Sequence, residues 1–488
     1  MLDIWLDADS GSNQPQYRQL YDEIRNRITN GSIADGSRLP SVRALQAALQ
    51  LSKTPIETAY QMLVAEGYAV SKPRSGLFAV APRAGTIPDA GKQKHGRAGL
   101  YPDIPLSERQ FREGVLQPPK AFRVDFNTVG VDAALFPLRA WKKALHDTLE
   151  QEFLNHSGYG DPQGEYELRA ILAEYLGQSR GVVCSPEQIV VGVGMAGSLK
   201  VILSLLDPIA IAAIEEPGFR TVRDVFLAAG TVVEPIPVGE LGIRLEGLAE
   251  SKADIVYVTP SHQFPTGAVM PYGERLKLLE WARERGAYII EDDYDGEFRY
   301  RGKPIPSMQS LDPEGRVIYV GTFSKAFAPA FRMNYMVIPE ALLPRLGAIG
   351  HLLSVPSRMD QLAMRTFIEQ GHWYRHIRRM RNAYRRKHQR LSQLLQEHFG
   401  DAIAVSGGSA GLHIGVTVRT ERSAAELMEL AADGGVRVYD YARTWMGLIP
   451  GMGEATVYLG FGDLSEEELA LGVSLLREAW GEAIARGN

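Results

Sequence analysis

Lys325 ends the segment Gly321-Thr322-Phe323-Ser324-Lys325, which follows an apolar run, and Arg332 lies a short step beyond it. Asp292 follows a second apolar run, Tyr288-Ile289-Ile290-Glu291, and Tyr294 comes just after. Singly, each residue is ordinary. A loop lysine usually faces water, and an acid at a strand end often caps a helix. Together they form a chemically coherent set. A lysine amine condenses with an aldehyde when burial and nearby positive charge keep it unprotonated. A carboxylate keeps a pyridinium nitrogen protonated. Hydroxyls, an arginine and helix N-terminal N–H groups hold a phosphate. These are the needs of pyridoxal phosphate. On this reading Lys325 takes the aldehyde, Asp292 faces the ring nitrogen, and Thr322, Ser324 and Arg332 serve the phosphate. The turn Val193-Gly194-Met195-Ala196-Gly197-Ser198 precedes a helical run, so the backbone of Met195 and Ala196 would add donors. Phe219, in Glu216-Pro217-Gly218-Phe219, would stack on the ring, and Tyr294 would bond its oxygen. From the residues alone, unrelated surface and capping roles stay open.

A second constellation is basic. Between Arg38 and Val80 lie Arg38, Arg43, Lys53, Lys72 and Arg74 against Glu57 and Glu66, a net of +3 in a chain of formal charge −5. The cations fall at the starts of two expected helices and at a hairpin tip, which are surfaces that would meet phosphate and groove. Ser52 and Thr54 would donate to phosphate beside a helix N-terminus. Arg43 and Lys53 both carry donors suited to guanine. Arg38, Ser75 and Gly76 complete this surface.

The elements behind these residues differ along the chain. Tyr17, Leu20, Tyr21, Ile24 and Ile28 recur at helical spacing. Ser41 is placed to cap a second helix carrying Val42, Leu45 and Leu49. Pro55 suits the first turn of a third helix, with Ile56, Ala59, Tyr60, Leu63 and Val64 on its face, and Gly67 ends it. Short strands around residues 68–70 and 77–80 flank Pro73-Arg74-Ser75-Gly76. Three helices and a hairpin make a winged helix-turn-helix over residues 12–81. Residues 82–122 are rich in Pro, Gly and charge and read as a linker. From residue 123 to 488, apolar runs at Ile189–Val193, Ile255–Val258, Tyr288–Ile290 and Val317–Val320 alternate with helical patterns. This is the signature of an α/β domain with a large, mostly parallel sheet, whose ligands gather at the carboxyl ends of the strands. Beyond about residue 370, a basic helix (Arg375 to Arg390) opens a smaller α+β subdomain.

Composition narrows the class. With 488 residues, two or three domains are expected. Hydrophobic residues at 45% and charged residues at 23% exclude a disordered or fibrous chain. The acidic balance excludes nucleic-acid binding by bulk charge, leaving a local patch. A single cysteine, Cys184, offers no internal disulfide and no cysteine-based zinc site, and no metal is expected. The expected compartment is the reducing cytoplasm. Three aspartates in the first nine residues do not make a secretory leader, and no membrane span is expected.

Residues 12–80 resemble the winged helix of GntR-type bacterial repressors. The resemblance rests on Arg38-Leu39-Pro40-Ser41-Val42-Arg43-Ala44-Leu45, Leu51-Ser52-Lys53-Thr54, the run from Ala59 to Tyr68, and Ser75-Gly76. One departure is Lys53, where that class more often has arginine, which weakens bidentate base contact. Residues 123–488 resemble a fold-type I aminotransferase domain, through Gly158-Tyr159-Gly160-Asp161-Pro162-Gln163-Gly164, Thr259-Pro260-Ser261-His262-Gln263-Phe264-Pro265-Thr266-Gly267, Glu291-Asp292-Asp293-Tyr294-Asp295 and the Lys325 segment. The fusion of the two is similar to the MocR family of bacterial regulators, and the likeness spans almost the whole chain.

That resemblance implies a domain-swapped homodimer that holds pyridoxal 5'-phosphate and reads a double-stranded DNA operator. It also implies an amino-containing effector that exchanges onto the cofactor, or the cofactor itself as signal. His262 or Gln263 would stand near the ring oxygen, where aminotransferases usually carry an asparagine pair before the proline. The carboxylate-binding arginine of aminotransferases is missing from the strand Val457-Tyr458-Leu459-Gly460-Phe461-Gly462. Arg443 is the candidate in its place, with Arg220 or Arg223 assisting. No polar residue directly follows Gly194, so phosphate binding would rest more on Thr322, Ser324 and Arg332. The expected function is a regulator rather than an enzyme. The alternative is a pyridoxal-phosphate-dependent aminotransferase carrying a DNA-binding module.

Overall fold

The computed structural model describes residues 15–73, 75–81, 122–152, 158–300, 305–446 and 455–484. Arg74, the side chain of Arg443 and all of the expected linker except Phe122 lie outside the described residues. The chain divides into two compact units, residues 1–117 and 118–488.

The first unit is built on three helices. Helix α1 (Gln16–Thr29) buries Leu20, Tyr21, Ile24 and Ile28. Helix α2 (Val42–Leu49) begins at Ser41, whose Oγ accepts from the Ala44 N–H at 3.1 Å, and it buries Leu45. Helix α3 (Lys53–Ala65) buries Ile56, Ala59, Tyr60 and Leu63. Gly67 follows it at φ +81°, a left-handed conformation that glycine adopts without strain. The chain then turns into an antiparallel hairpin, β1 (Ala69–Lys72) and β2 (Gly76–Ala79), in the register Ala69↔Ala79. The Tyr60 hydroxyl donates to the Pro40 carbonyl at 2.6 Å and ties α3 to the segment before α2. Each fully buried Leu or Ile here stabilises the unit by about 1.5–3 kcal/mol relative to exposure.

The second unit holds an eight-stranded mixed sheet. A two-residue strand β3 (Val124–Asp125) precedes it. The sheet strands are β4 (Ile189–Gly192), β5 (Ile211–Glu216), β6 (Val232–Gly239), β7 (Gly242–Ile243), β8 (Ile255–Val258), β9 (Tyr288–Asp293), β10 (Val317–Thr322) and β11 (Asn334–Val337), in the order β4-β11-β10-β9-β8-β5-β6-β7. Neighbours from β10 to β6 run parallel. Strand β11 is antiparallel to both β10 and β4, and β7 is antiparallel to β6. The apolar runs are continuous because both faces are covered. Ile255 and Tyr257 pack with Leu199, Ile202 and Phe226 on one face, while Val256 and Val258 pack with Leu278 and Ala282 on the other.

The 28-residue helix His372–Phe399 leads out of this layer. It buries Trp373, Ile377, Met380, Tyr384 and Leu391, and leaves Arg375, Arg378, Arg379 and Arg386 in solvent. The basic stretch read in the sequence is therefore the outer face of an amphipathic helix. A three-stranded antiparallel sheet follows, β12 (Ile403–Ser406), β13 (His413–Val418) and β15 (Ala455–Gly460), with β13 in the middle. Strand β14 (Val436–Arg437) pairs with β3. Among the described residues no helix is long and apolar enough to cross a membrane.

Candidate functional site

A cavity of about 360 Å³ opens where the parallel strands end. Five sheet strands feed it, because their carboxyl ends point the same way. Strand β10 ends at Thr322 and delivers Ser324 and Lys325. Strand β9 delivers Asp292, Tyr294 and Asp295. Strands β8, β5 and β4 deliver Thr259, Phe219 and the turn Gly194-Met195-Ala196. Leu412 and His413, at the start of β13, close one wall.

One end of the cavity is built for an anion. Gly194 has φ +100°, and a Cβ placed on it would lie 2.4 Å from Nη2 of Arg332. Asn334 fixes this turn: its Oδ1 accepts from the Gly194 N–H at 2.9 Å, and its amide donates to Ser198 Oγ at 2.7 Å. The helix Met195–Leu205 starts there, so its first N–H groups have no intrahelical acceptor and carry the positive end of the helix dipole. Thr322 Oγ1 lies 3.1 Å from both the N–H and the Oγ of Ser324. Arg332 is exposed and has no ion-pair partner among the described residues.

A second group of lining residues would suit a cation. Asp292 is 5% exposed and accepts a short hydrogen bond from the Tyr257 hydroxyl. Burial pushes its carboxyl up to about 7, and among the described residues no cation pairs with it. Lys325 shares the cavity, its Nζ 3.4 Å from the Thr128 carbonyl. Burial lowers its amine to about 8, against a smaller opposing pull from Asp295 and Asp463. A buried carboxyl lacking a cation, an amine kept close to neutrality and an unpaired arginine beside a helix N-terminus share one space. This donor set fits a molecule with a protonated ring nitrogen, an aldehyde and a phosphate.

The structure brings Lys325, Asp292, Tyr294, Thr322, Ser324, Arg332, Phe219, Met195 and Ala196 to this cavity. It places His262 and Gln263 elsewhere. Both are buried, each 1% exposed, behind the wall that their neighbour Phe264 forms. The Gln263 amide holds its own loop together. Its Nε2 donates to the Pro217 carbonyl at 2.9 Å, and its Oε1 accepts from the Thr266 N–H at 3.0 Å and the Thr266 hydroxyl at 2.7 Å. His262 is bound to Asp295 and Tyr294. Arg220 is also away from the cavity, exposed and 3.1 Å from Asp224. Arg223 bonds the same aspartate.

Several cavity residues escaped the sequence reading. Asn334 is a polar residue, 2% exposed, opening the apolar strand Asn334-Tyr335-Met336-Val337, and that mismatch was its available signal. Tyr257 lies within an apolar run, and Thr128, Leu412 and His413 carry no motif.

In the first unit, Arg43 is exposed in the first turn of α2, and Ser52, Lys53 and Thr54 are exposed at the start of α3. The Lys53 ammonium is 3.0 Å from Glu57. The exposed Arg38 pairs through its backbone with Phe78, and its Nε lies 3.3 Å from where a Cβ on Gly76 would stand. Ser75 and Gly76 are exposed at the hairpin tip.

Residues 16–79 match the model of bacterial regulatory proteins, gntR family, and residues 124–440 match aminotransferase class I and II. The HTH-type transcriptional regulator YhdI of Bacillus subtilis (strain 168), itself uncharacterized, is 39% identical over 488 residues, covering 99% of this chain and 100% of that protein. The probable rhizopine catabolism regulatory protein MocR of Rhizobium meliloti is 33% identical over 485 residues, covering 97% and 96%. The chain belongs to the MocR family of transcriptional regulators. Its back unit has the aminotransferase fold: the kynurenine aminotransferase of Pyrococcus horikoshii superposes with a TM-score of 0.68 at 24% identity, over 78% of this chain and 97% of that one. Aminotransferases of classes I and II depend on pyridoxal phosphate, while the relatives of this MocR-family chain carry the names of regulators. Its front unit is a GntR-type DNA-binding module.

Proposed function

We propose that this regulator binds pyridoxal 5'-phosphate at Lys325, and that occupancy of the cavity, by cofactor or by an amino-containing effector exchanging onto it, changes operator binding. The carrying observation is that Lys325, Asp292 and Arg332 line one cavity, with no cation paired to Asp292 and no carboxylate paired to Arg332 among the described residues. The bound cofactor would supply an aldehyde for an amine and an electron-withdrawing ring. The chain's residues do the rest. Lys325 presents an amine that burial has made easier to deprotonate. Asp292 holds a proton at the ring nitrogen and regains the charge partner that burial denies it. Arg332, Thr322, Ser324 and the N–H groups of Met195 and Ala196 bind the phosphate. Phe219 and Phe264, ring centroids 5.8 Å apart and edge to face, would offer the cofactor ring apolar contact.

On this reading residues 12–81 are the DNA reader, 82–122 the linker and 123–488 the sensor. The reader surface comprises Arg38, Arg43, Ser52, Lys53, Thr54, Arg74, Ser75 and Gly76. A homodimer, domain-swapped as the family resemblance implies, would present two readers to paired half-sites in the cytoplasm. Arg443 remains the candidate for an effector carboxylate. A ligand controls such a molecule only by binding one arrangement better than the other. A second reading, an aminotransferase tethered to DNA, draws on the same lowered amine of Lys325, which suits a general base. Sustained turnover of an amino acid with an oxo acid would establish it.

The test compares wild type and Lys325→Ala for binding to the DNA upstream of their own gene, with and without pyridoxal 5'-phosphate. The affinity of wild type changes on adding cofactor and that of the variant does not. Identical responses would remove the sensing role.

A further inference from the structure

The proposed function leaves the basic helix His372–Phe399 unused. From Arg375 to Arg390 it holds seven arginines and Lys387, and its first carboxylate is Glu397. Lys387 is buried and bonds Asp132 at 2.7 Å. Arg375, Arg378, Arg379, Arg381 and Arg386 are exposed. Arg381 donates to the Glu297 carbonyl at 2.9 Å, and Arg375 to the Gln370 carbonyl at 3.2 Å. Among the described residues no carboxylate lies within ion-pair distance of any of these five. Other exposed helices of this unit offset their cations in place. Lys277 pairs with Glu274 at 2.8 Å, Arg283 with Glu280, and Arg422 with Glu426 at 3.0 Å. Pairs three or four residues apart are the ordinary way a solvated helix face balances its charge.

The charge also has a pattern. Arg375, Arg379, Arg386 and Arg390 follow at steps of four, seven and four, which puts them on one stripe of the helix. Arg378 lies beside it. At 1.5 Å per residue the stripe is about 22 Å long. Duplex DNA presents a phosphate about every 3.4 Å of its axis on each strand, so the stripe matches about six steps of backbone. Guanidinium groups suit this contact, since their planar fork takes two phosphate oxygens at once. A membrane surface does not fit. The apolar side of the helix, with Trp373, Ile377, Met380 and Leu391, is buried in the core and has nothing to insert.

We infer that this stripe is a second DNA-contacting surface, which holds phosphates of the operator duplex by charge and reads no bases. The same chain carries a GntR-type reader, so duplex DNA is the polyanion the molecule already meets. The chain as a whole is acidic, at −5, which confines such contact to local basic patches. The inference rests on operator binding by the front unit and is independent of the cofactor.

The test measures binding of the full-length protein to the DNA upstream of its own gene across a salt series. Each neutralised phosphate adds about 0.9 to the steepness of log K against log salt. In the triple variant Arg378→Gln, Arg379→Gln, Arg386→Gln the dependence becomes shallower by about 2.7. Lysine at the same three positions keeps it within about 0.9 of wild type, since charge alone is needed. A control triple, Lys277→Gln, Arg283→Gln, Arg422→Gln, removes the same charge from other helices and leaves the slope unchanged. A glutamine triple with the slope of wild type would overturn the inference and leave the face to an acidic protein. Equal losses in test and control would also overturn it, by tracing the effect to net charge. Should the triple not fold, the three single glutamine variants decide the matter. Each is expected to lose about 0.9, and no loss in any of them is the contrary result. Absence of operator binding by wild type would overturn both this inference and the proposed function. A cofactor response that survives Lys325→Ala would remove the proposed function alone.

Discussion

The lowered amine of Lys325 makes a quantitative demand on cofactor uptake. Only the neutral amine attacks an aldehyde. An ordinary lysine, near 10.5, is neutral in about one molecule per thousand at pH 7.5. Burial brings Lys325 to about 8, so about a quarter of molecules are neutral at that pH. The gain in reactive amine is roughly two hundred-fold. The sign follows from burial disfavouring the ammonium. The assay is stopped-flow mixing of cofactor-free protein with pyridoxal 5'-phosphate across about pH 6–10. The second-order rate should climb nearly ten-fold per unit below about pH 7.5 and level off above about pH 8.5. A rate still climbing ten-fold per unit past pH 9.5 would mean an unperturbed lysine, and would refute the buried placement of this amine.

Other expectations follow from single contacts. Gly194→Ala puts a methyl 2.4 Å from Arg332 Nη2 at a φ of +100°. Cofactor affinity should fall about ten-fold or more while the far-ultraviolet dichroism holds, the local strain being about 1–3 kcal/mol. For Asp292, the folded pKa of about 7 lies above the unfolded value. The unfolded chain therefore loses its proton first, and this group's contribution to stability falls as pH rises from about 4 to 7. Asp292→Asn should flatten that decline in urea melts of cofactor-free protein and weaken cofactor binding at the same time. In the reader, Arg43→Gln and Lys53→Gln should each weaken binding to the operator more than binding to unrelated DNA, because both carry donors suited to guanine. Glu57→Gln should tighten DNA binding by releasing Lys53 from its 3.0 Å ion pair.

Much of this molecule was legible in one dimension because periodicity and burial coincide. Leu20, Ile24 and Ile28 repeat at helical spacing and line one core. The apolar runs at 189, 255, 288 and 317 are strands covered on both faces. Strand ends flanked by Asp292, Thr322 and Lys325 announced the cavity, since parallel strands deliver their carboxyl ends to one edge. What stayed hidden lacks a period. In the loop after β8, three consecutive residues, His262, Gln263 and Phe264, point to different surroundings, and only the loop's hydrogen bonds decide that Phe264 faces the cavity. Thr128 and His413 reach the site from segments far apart in sequence, joined by tertiary packing that no local pattern encodes. Arg220 was read by its nearness to Phe219, but the helix Arg220–Ala228 turns it toward Asp224.

Borohydride reduction of the cofactor-loaded protein, followed by proteolysis and peptide mapping, tests the central claim most directly. The account predicts a pyridoxyl label on the peptide carrying Lys325 and its loss in Lys325→Ala. A label on any other lysine, or none, would contradict it.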